Sequence, residues 1–211
     1  MEIVRLKVGL IGTNCYIVYE KGSDKAFLID PGDSASRILR ELDERKLKAE
    51  YIILTHAHFD HVLGVYDLLD MTDAKLCAHA LEKERLRDPE ISGHKYFHAR
   101  RHKALVPDIV LNDGDELSAG GLSAKILHTP GHSEGSICAI LGGAIFSGDT
   151  LFKENCGRCD LIGGDYGEML RSLKKLNNLK GDYEIYPGHG EASTLEYERK
   201  NNPYMSEASG A

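Results

Sequence analysis

Apolar residues fall in short runs whose spacing changes along the chain. Residues 2–10 and 14–19 are rich in Ile, Val, Leu and Tyr and are split by Gly12-Thr13, which predicts two strands joined by a turn. Lys25 to Asp30 predicts a third strand. Asp30-Pro31-Gly32-Asp33 breaks it, and Ser34 stands where it would cap a helix reaching about Leu47, with Ile38, Leu39 and Leu42 at helical spacing. Tyr51-Ile52-Ile53-Leu54 reads as a buried strand. Helical spacing returns from Val62 through Leu69, Lys75 to Ala78 predicts another strand, and Ala80 to Arg87 a short helix ahead of Pro89. From Ile109 to Ser147 short apolar stretches alternate with glycines, as in Ala124-Lys125-Ile126-Leu127 and Ser136-Ile137-Cys138-Ala139-Ile140. That pattern predicts antiparallel strands. Glu168 to Leu176 predicts a helix, Glu184-Ile185-Tyr186 a last strand and Thr194 to Lys200 a terminal helix.

Strands at both ends of the chain with helices between them predict a layered α/β or α+β fold, in which loops at one sheet edge carry the polar residues. A four-layer sandwich satisfies the pattern. The 211 residues suffice for one large domain with a substantial core, taken as residues 1–211, and no internal repeat or low-complexity linker interrupts them.

Charge and cysteine usage then remove several function classes. A formal net charge of −7 repels phosphate backbones and anionic lipid surfaces, so neither nucleic acid nor a membrane is expected as a partner. No run of about 18 apolar residues occurs. Met1-Glu2-Ile3-Val4-Arg5 lacks the apolar stretch and small-residue cleavage site of a signal peptide, so a cytoplasmic protein is expected. Five cysteines, an odd number at irregular spacing, predict reduced thiols rather than a disulfide framework.

The chemistry concentrates after the Tyr51–Leu54 run, in Thr55-His56-Ala57-His58-Phe59-Asp60-His61. Imidazole nitrogens and carboxylate oxygens are ligands for zinc and similar divalent ions, and catalytic zinc sites keep one position open for water. A spacing of two points His56 and His58 the same way from an extended loop, while Asp60 and His61 turn toward a second position. Burying so many titratable groups without a counter-ion is costly, which argues against a chance cluster. Four residues do not complete two sites. Further donors are expected at other glycine-rich strand ends: His132 in Thr129-Pro130-Gly131-His132, Asp149 in Ser147-Gly148-Asp149-Thr150 and His189 in Pro187-Gly188-His189-Gly190.

Together with Asn14-Cys15-Tyr16 and Asp30-Pro31-Gly32, these segments resemble the ordered motif set of the metallo-β-lactamase superfamily, across almost the whole chain. The resemblance implies an α+β fold, an αββα sandwich with metals at one edge of its two sheets. It also implies His56, His58 and His132 around one divalent ion, Asp60, His61 and His189 around a second, Asp149 between them, and Asp30 orienting the ligands. Zinc is the expected metal, with iron or manganese as alternatives, and the mechanism is hydrolysis by an activated water that Asp60 orients or deprotonates.

Within the superfamily, Gly148-Asp149-Thr150-Leu151-Phe152-Lys153-Glu154-Asn155-Cys156-Gly157-Arg158 is similar to glyoxalase II, and Leu161-Ile162-Gly163-Gly164-Asp165 to its short branch, which has no helical C-terminal domain. This implies a small-molecule thioester or ester as substrate, hydroxyacylglutathione-like, with Arg158 as a substrate contact; Lys153 and Tyr166 are further candidates to reach the pocket, the alternative being surface groups. The alternatives are a one-iron persulfide dioxygenase using His56, His132 and Asp149, and a lactonase. β-Lactam cleavage fits less well, because the better-known lactamases carry cysteine where Asp149 stands.

Three readings concern residues outside these motifs. His94, His98 and His102, with Lys95, Arg100, Arg101 and Lys103, predict a solvated helix face, the alternative being a basic lid over an anionic substrate. Cys156-Gly157-Arg158-Cys159 is an isolated pair and reads as incidental thiols. His79 and His128 read as structural, and the sequence leaves open whether the chain is a monomer or a homodimer.

Overall fold

The structure is a computed structural model that describes residues 1–88, 91–93 and 104–210. In chain order the first half contributes β1 (Glu2–Val8), β2 (Thr13–Tyr19), β3 (Lys25–Ile29), α1 (Ala35–Glu44), β4 (Lys48–Ile53), α2 (Phe59–Val62), α3 (Val65–Met71) and β5 (Lys75–His79). A single 3-10 turn (Ala80–Glu82), α4 (Lys83–Arg87) and β6 (Ile109–Leu111) complete it. The second half contributes β7 (Glu116–Ala119), β8 (Leu122–His128), β9 (Ile137–Leu141), β10 (Ala144–Gly148), β11 (Leu151–Phe152) and β12 (Asn155–Cys156). Then follow α5 (Tyr166–Asn177), β13 (Glu184–Pro187), β14 (Ser193–Thr194), α6 (Leu195–Asn201) and α7 (Pro203–Ser209).

One six-stranded sheet runs β1-β2-β3-β4-β5-β6, and the other β14-β13-β10-β9-β8-β7. In the first, β1 to β3 pair antiparallel and β3 to β6 parallel. In the second, β7 to β10 form the expected antiparallel meander and β13 returns parallel to β10.

Alternation along the strands builds three apolar layers. In β2, Cys15 and Ile17 face the layer shared with Ile38 of α1 and Leu68 of α3. Tyr16 and Val18 face the layer between the sheets, where Phe27, Ile53, Ile126 and Phe146 meet them. From β9 and β10, Cys138 and Ile145 pack under Met169 and Leu173 of α5 and Met205 of α7. Strands covered on both faces need apolar residues at consecutive positions. This accounts for the unbroken runs in β2, β4 and β10, and gives the αββα sandwich.

Three local features depart from the sequence reading. Helix α1 stops at Glu44, and Lys46 takes a left-handed φ of 56° that turns the chain into β4. Ser34 does not cap α1: it is left-handed at φ 58° and makes no capping hydrogen bond. Thr194 caps α6 by accepting from Tyr197 N–H, but a further helix follows. There Asn202 accepts from Tyr204 N–H and Met205 N–H, and Pro203 sits in the first turn, a cap-and-proline start that seven residues of periodicity do not announce.

All five cysteines are free thiols. His79, at the end of β5, stacks on His128 with ring centroids 4.1 Å apart and an interplanar angle of 10°. Burial, then the neighbouring His128, pushes the His79 imidazole down to about 4. An unfolded histidine takes its proton near pH 6.5. Between these values the unfolded chain binds more protons than the fold, so this group makes stability fall as pH drops from about 6.5 to 4. His79→Asn, which keeps an acceptor for Leu81 N–H, should lose less of its urea midpoint between pH 7 and pH 5 than the parent chain does; an equal loss would assign the pH sensitivity elsewhere.

Candidate metal centre

Four strand ends meet at one edge of the two sheets. The segment after β4 carries His56 and His58, and α2 carries Asp60 and His61. His132 follows β8, Asp149 follows β10 and His189 follows β13. Ligand atoms of His56, His58 and His132 lie within 4.8 Å of one another, as do those of Asp60, His61 and His189. Asp149 faces both triads: Oδ1 is 3.5 Å from His61 Nε2, and Oδ2 is 3.5 Å from His132 Nε2 and 3.6 Å from His189 Nε2. A third group of ligand atoms, from His56, His61 and Asp149, meets the same distance limit and joins the two triads.

Hydrogen bonds on the outer side of three of the five rings fix which nitrogen faces inward. Asp30, at the end of β3 with a left-handed φ of 48°, accepts from the N–H (2.7 Å) and hydroxyl (2.6 Å) of Thr55 and from His61 Nδ1 (2.9 Å). A left-handed non-glycine residue costs energy, and here the cost accompanies a carboxylate with three donors. Since the Thr55 hydroxyl hydrogen goes to Asp30, His56 Nδ1 is the donor in its 3.2 Å contact with Thr55 Oγ1. His132 Nδ1 donates to the carbonyl of Arg158 at 2.7 Å. In all three rings Nε2 is thereby left as the inward atom, and an outer partner of this kind is what ligating histidines use to hold their tautomer.

Several inward atoms make no hydrogen bond among the described residues. His56 Nε2, His61 Nε2 and Asp149 Oδ1 are buried and make no hydrogen bond. Each such atom costs roughly 1–3 kcal/mol unless something else satisfies it, and a divalent cation satisfies imidazole nitrogen and carboxylate oxygen together. The backbone leaves room for this: a Cβ on Gly188 would lie 2.3 Å from Asp149 Oδ1, and one on Gly157 would lie 1.8 Å from the Asp149 carbonyl. The residues fit a metal centre.

Electrostatics agree. Burial, reinforced by the other histidines, holds His56 and His58 well below the usual imidazole range, in the neutral form that donates a lone pair. Burial also works against charge on His61, but Asp60, Asp30 and Asp149 overcome it and raise that ring to about 10. Burial by itself would raise Asp60; the charge of His61, with hydrogen bonds from His189 and Thr13, instead keeps its carboxyl well below the usual carboxylate range. Three carboxylates around His61 thus create a strong demand for positive charge.

A family model for the metallo-beta-lactamase superfamily matches residues 8–189. The chain belongs to this superfamily. It is similar to hydroxyacylglutathione hydrolase GloC of Haemophilus influenzae, at 30% identity over 99% of this chain and 100% of that protein. Among solved structures, BLEG-1 B3 metallo-beta-lactamase superposes with a TM-score of 0.90 at 32% identity, covering 97% of this chain and 100% of that one. TTHA1623, solved in a di-iron-bound form, superposes with a TM-score of 0.84 at 32% identity, covering 95% and 99%.

Beside these His and Asp side chains of this superfamily member lies a cavity of about 540 Å³. Of the three candidate substrate contacts, Arg158 lines it. Lys153 and Tyr166 are not among the lining residues: Lys153 pairs with Glu191 at 3.4 Å on the surface, and the Tyr166 hydroxyl donates to Glu207 at 2.8 Å. Both side chains point along the surface, a direction that nearness to Arg158 in sequence does not reveal. The basic segment 94–103, read as a solvated face or a lid, lies outside the described residues. Among the described residues no helix is long and apolar enough to cross a membrane.

Sequence reasoning missed a buried pair under the site. Glu82 is fully buried and accepts four hydrogen bonds: from Ala57 N–H (3.0 Å), Arg85 Nε (3.0 Å), Ser133 Oγ (2.6 Å) and Gly135 N–H (3.0 Å). Its carboxylate therefore ties the His56–His58 loop to the His132 loop. Thr13 was missed too; its hydroxyl donates to Asp60 Oδ2 at 2.9 Å. The motif residue Asn14 grips the His189 loop, donating from Nδ2 to the carbonyls of Pro187 (2.9 Å) and Gly190 (3.1 Å). Ala80-Leu81-Glu82-Lys83-Glu84-Arg85 reads as an ordinary charged helix face, and nothing in it signals an inward Glu82.

Proposed function

We propose that the protein is a two-metal hydrolase of thioesters or related carboxylic esters, with hydroxyacylglutathione-type compounds in the substrate class. The observation that carries this reading is the convergence of His56, His58, His132, Asp149, Asp60, His61 and His189 on one space, with buried inward atoms that make no hydrogen bond among the described residues. The full-length similarity to GloC supports the thioester.

In this reading His56, His58 and His132 hold one divalent ion, Asp60, His61 and His189 hold the other, and Asp149 reaches both. Zinc suits the nitrogen and oxygen donors; the di-iron neighbour supports iron as an alternative occupant. A pair of such ions, when bound, supplies a water that ionises near neutral pH and polarises the carbonyl under attack. Asp30 holds His61 through Nδ1, Thr55 does the same for His56, and the Arg158 carbonyl for His132. Thr13 fixes one oxygen of Asp60. Held by Thr13 beside this site, Asp60 orients the attacking water. The substrate acyl group occupies the 540 Å³ cavity, and no serine or cysteine nucleophile takes part. A cytoplasmic setting is in keeping with five free thiols.

Metal quantification on freshly purified protein, run with a thioester screen, tests the reading. The expected result is about two ions per chain and turnover that a chelator abolishes and added zinc restores. One iron per chain, with oxygen uptake on a persulfide and no thioester cleavage, would replace it with the dioxygenase alternative.

A further inference from the structure

The walls of the metal-site cavity carry information about the substrate beyond the scissile bond. The apolar part of the cavity wall is Ile11 from the β1–β2 turn, Phe59 from α2, Ile91, and Leu161 with Ile162 from the segment before α5. Several of these side chains face water: Ile11 is 51%, Leu161 37% and Ile162 64% exposed. Leu10, beside Ile11 on the same turn, is 97% exposed. It lines an adjoining cavity of about 460 Å³ that shares Ile11, Phe59 and Asp60 with the first. An apolar track therefore leads from the β1–β2 turn to the metal ligands. Contiguous exposed apolar surface on a folded chain marks a binding surface.

Charge at the mouth points the same way. Among the described lining residues outside the metal-facing set, the charged side chains are Arg158 and Asp160. They neutralise each other through two bonds, Nε to Oδ1 and Nη2 to Oδ2, both 2.6 Å. A carboxylate of a peptide thiol would have to compete with Asp160 for that guanidinium. The apolar walls, in contrast, are pre-set. Buried Arg85, held by Glu82, donates to the carbonyl of Ile162 at 3.0 Å and to that of Ile91 at 3.4 Å, which fixes two of the walls to one anchor.

We propose that this site selects substrates by an unbranched apolar acyl chain lying along Ile11, Phe59, Ile91 and Ile162, and not by an anionic thiol carrier. The proposal rests on the hydrolase reading and narrows its substrate class to medium-chain acyl thioesters and esters.

The test uses the metal-loaded protein and straight-chain acyl thioesters of one small uncharged thiol, N-acetylcysteamine, from butanoyl to decanoyl. Burying one methylene is worth about 0.8 kcal/mol, about fourfold in kcat/KM, so octanoyl, four methylenes longer, should exceed butanoyl by roughly 250-fold. Ile11→Ser and Ile162→Ser should each cut the octanoyl-to-butanoyl ratio about tenfold; the ratio within one variant cancels any loss of folded or loaded protein. The same acyl group on glutathione should give kcat/KM within about threefold of the N-acetylcysteamine value, and Arg158→Ala should leave that quotient unchanged. A flat chain-length series overturns the proposal, as does a preference of more than tenfold for glutathione that Arg158→Ala removes. Calorimetric binding of the matching alkyl thioethers separates the two readings. If nothing is hydrolysed but affinity rises with chain length and is lost in Ile162→Ser, the hydrolase reading fails and the apolar track stands; if affinity is also flat, the track fails with it.

Discussion

Asp149→Asn should lower turnover about 1,000-fold while leaving the fold intact. Asp149 is the residue whose two carboxylate oxygens face both ligand triads, at 3.5 Å from His61 and His132 and 3.6 Å from His189. An amide of the same shape keeps the packing against Gly188 and Gly157 but removes the charge between the two triads. The loss corresponds to roughly 4 kcal/mol of transition-state stabilisation, in the range that metal polarisation contributes. Bound metal per chain should fall as well, because one donor is taken from each proposed ion. Circular dichroism and the metal-free thermal midpoint should match the parent. Activity within about tenfold of the parent at full metal occupancy would remove Asp149 from the reaction.

The second large effect is on stability. Glu82→Ala deletes the acceptor of Arg85 Nε, Ser133 Oγ, Ala57 N–H and Gly135 N–H at once and leaves a buried guanidinium without its counter-charge. Breaking a buried ion pair from one side costs about 3–5 kcal/mol, a large share of the roughly 5–15 kcal/mol that holds a domain folded. For a chain of this size each kcal/mol shifts the melting midpoint by about 2–4 °C, so a drop on the order of 10 °C is expected. Replacing both partners, as in Glu82→Met with Arg85→Leu, should recover much of the drop, because no charge is then stranded. A single-variant shift below about 2 °C would mean that Glu82 does not clamp the two loops.

The sequence made some parts of this arrangement legible because they are local. His56, His58, Asp60 and His61 crowd into six positions after an apolar strand, and that density alone signals a metal. His132, Asp149 and His189 are single residues at glycine-rich strand ends. Residue type made them candidates; the superfamily motif order assigned them to a common site, and only the packing of four strand ends brings them together. The two-sided burial of β2 and β10 was legible as continuous apolar runs, whereas α7 was not, since its seven residues complete two turns at most. Glu82 and Arg85 escaped for a different reason. Charge in a short helix predicts exposure, and their burial depends on Ser133 and Gly135 being more than fifty positions away in sequence yet within hydrogen-bond reach. Lys153 and Tyr166 show the converse: adjacency to Arg158 in the chain suggested a shared cavity, and their partners Glu191 and Glu207 lie along the surface instead.

The central claim is that seven side chains from four strand ends grip two cations, and anomalous diffraction from crystals of zinc-loaded protein at neutral pH tests it most directly. The account predicts two zinc peaks, one within coordination distance of His56, His58 and His132, the other within coordination distance of Asp60, His61 and His189, with Asp149 touching both. Peaks elsewhere on the molecule, or none at this edge of the sheets despite full loading, would contradict it.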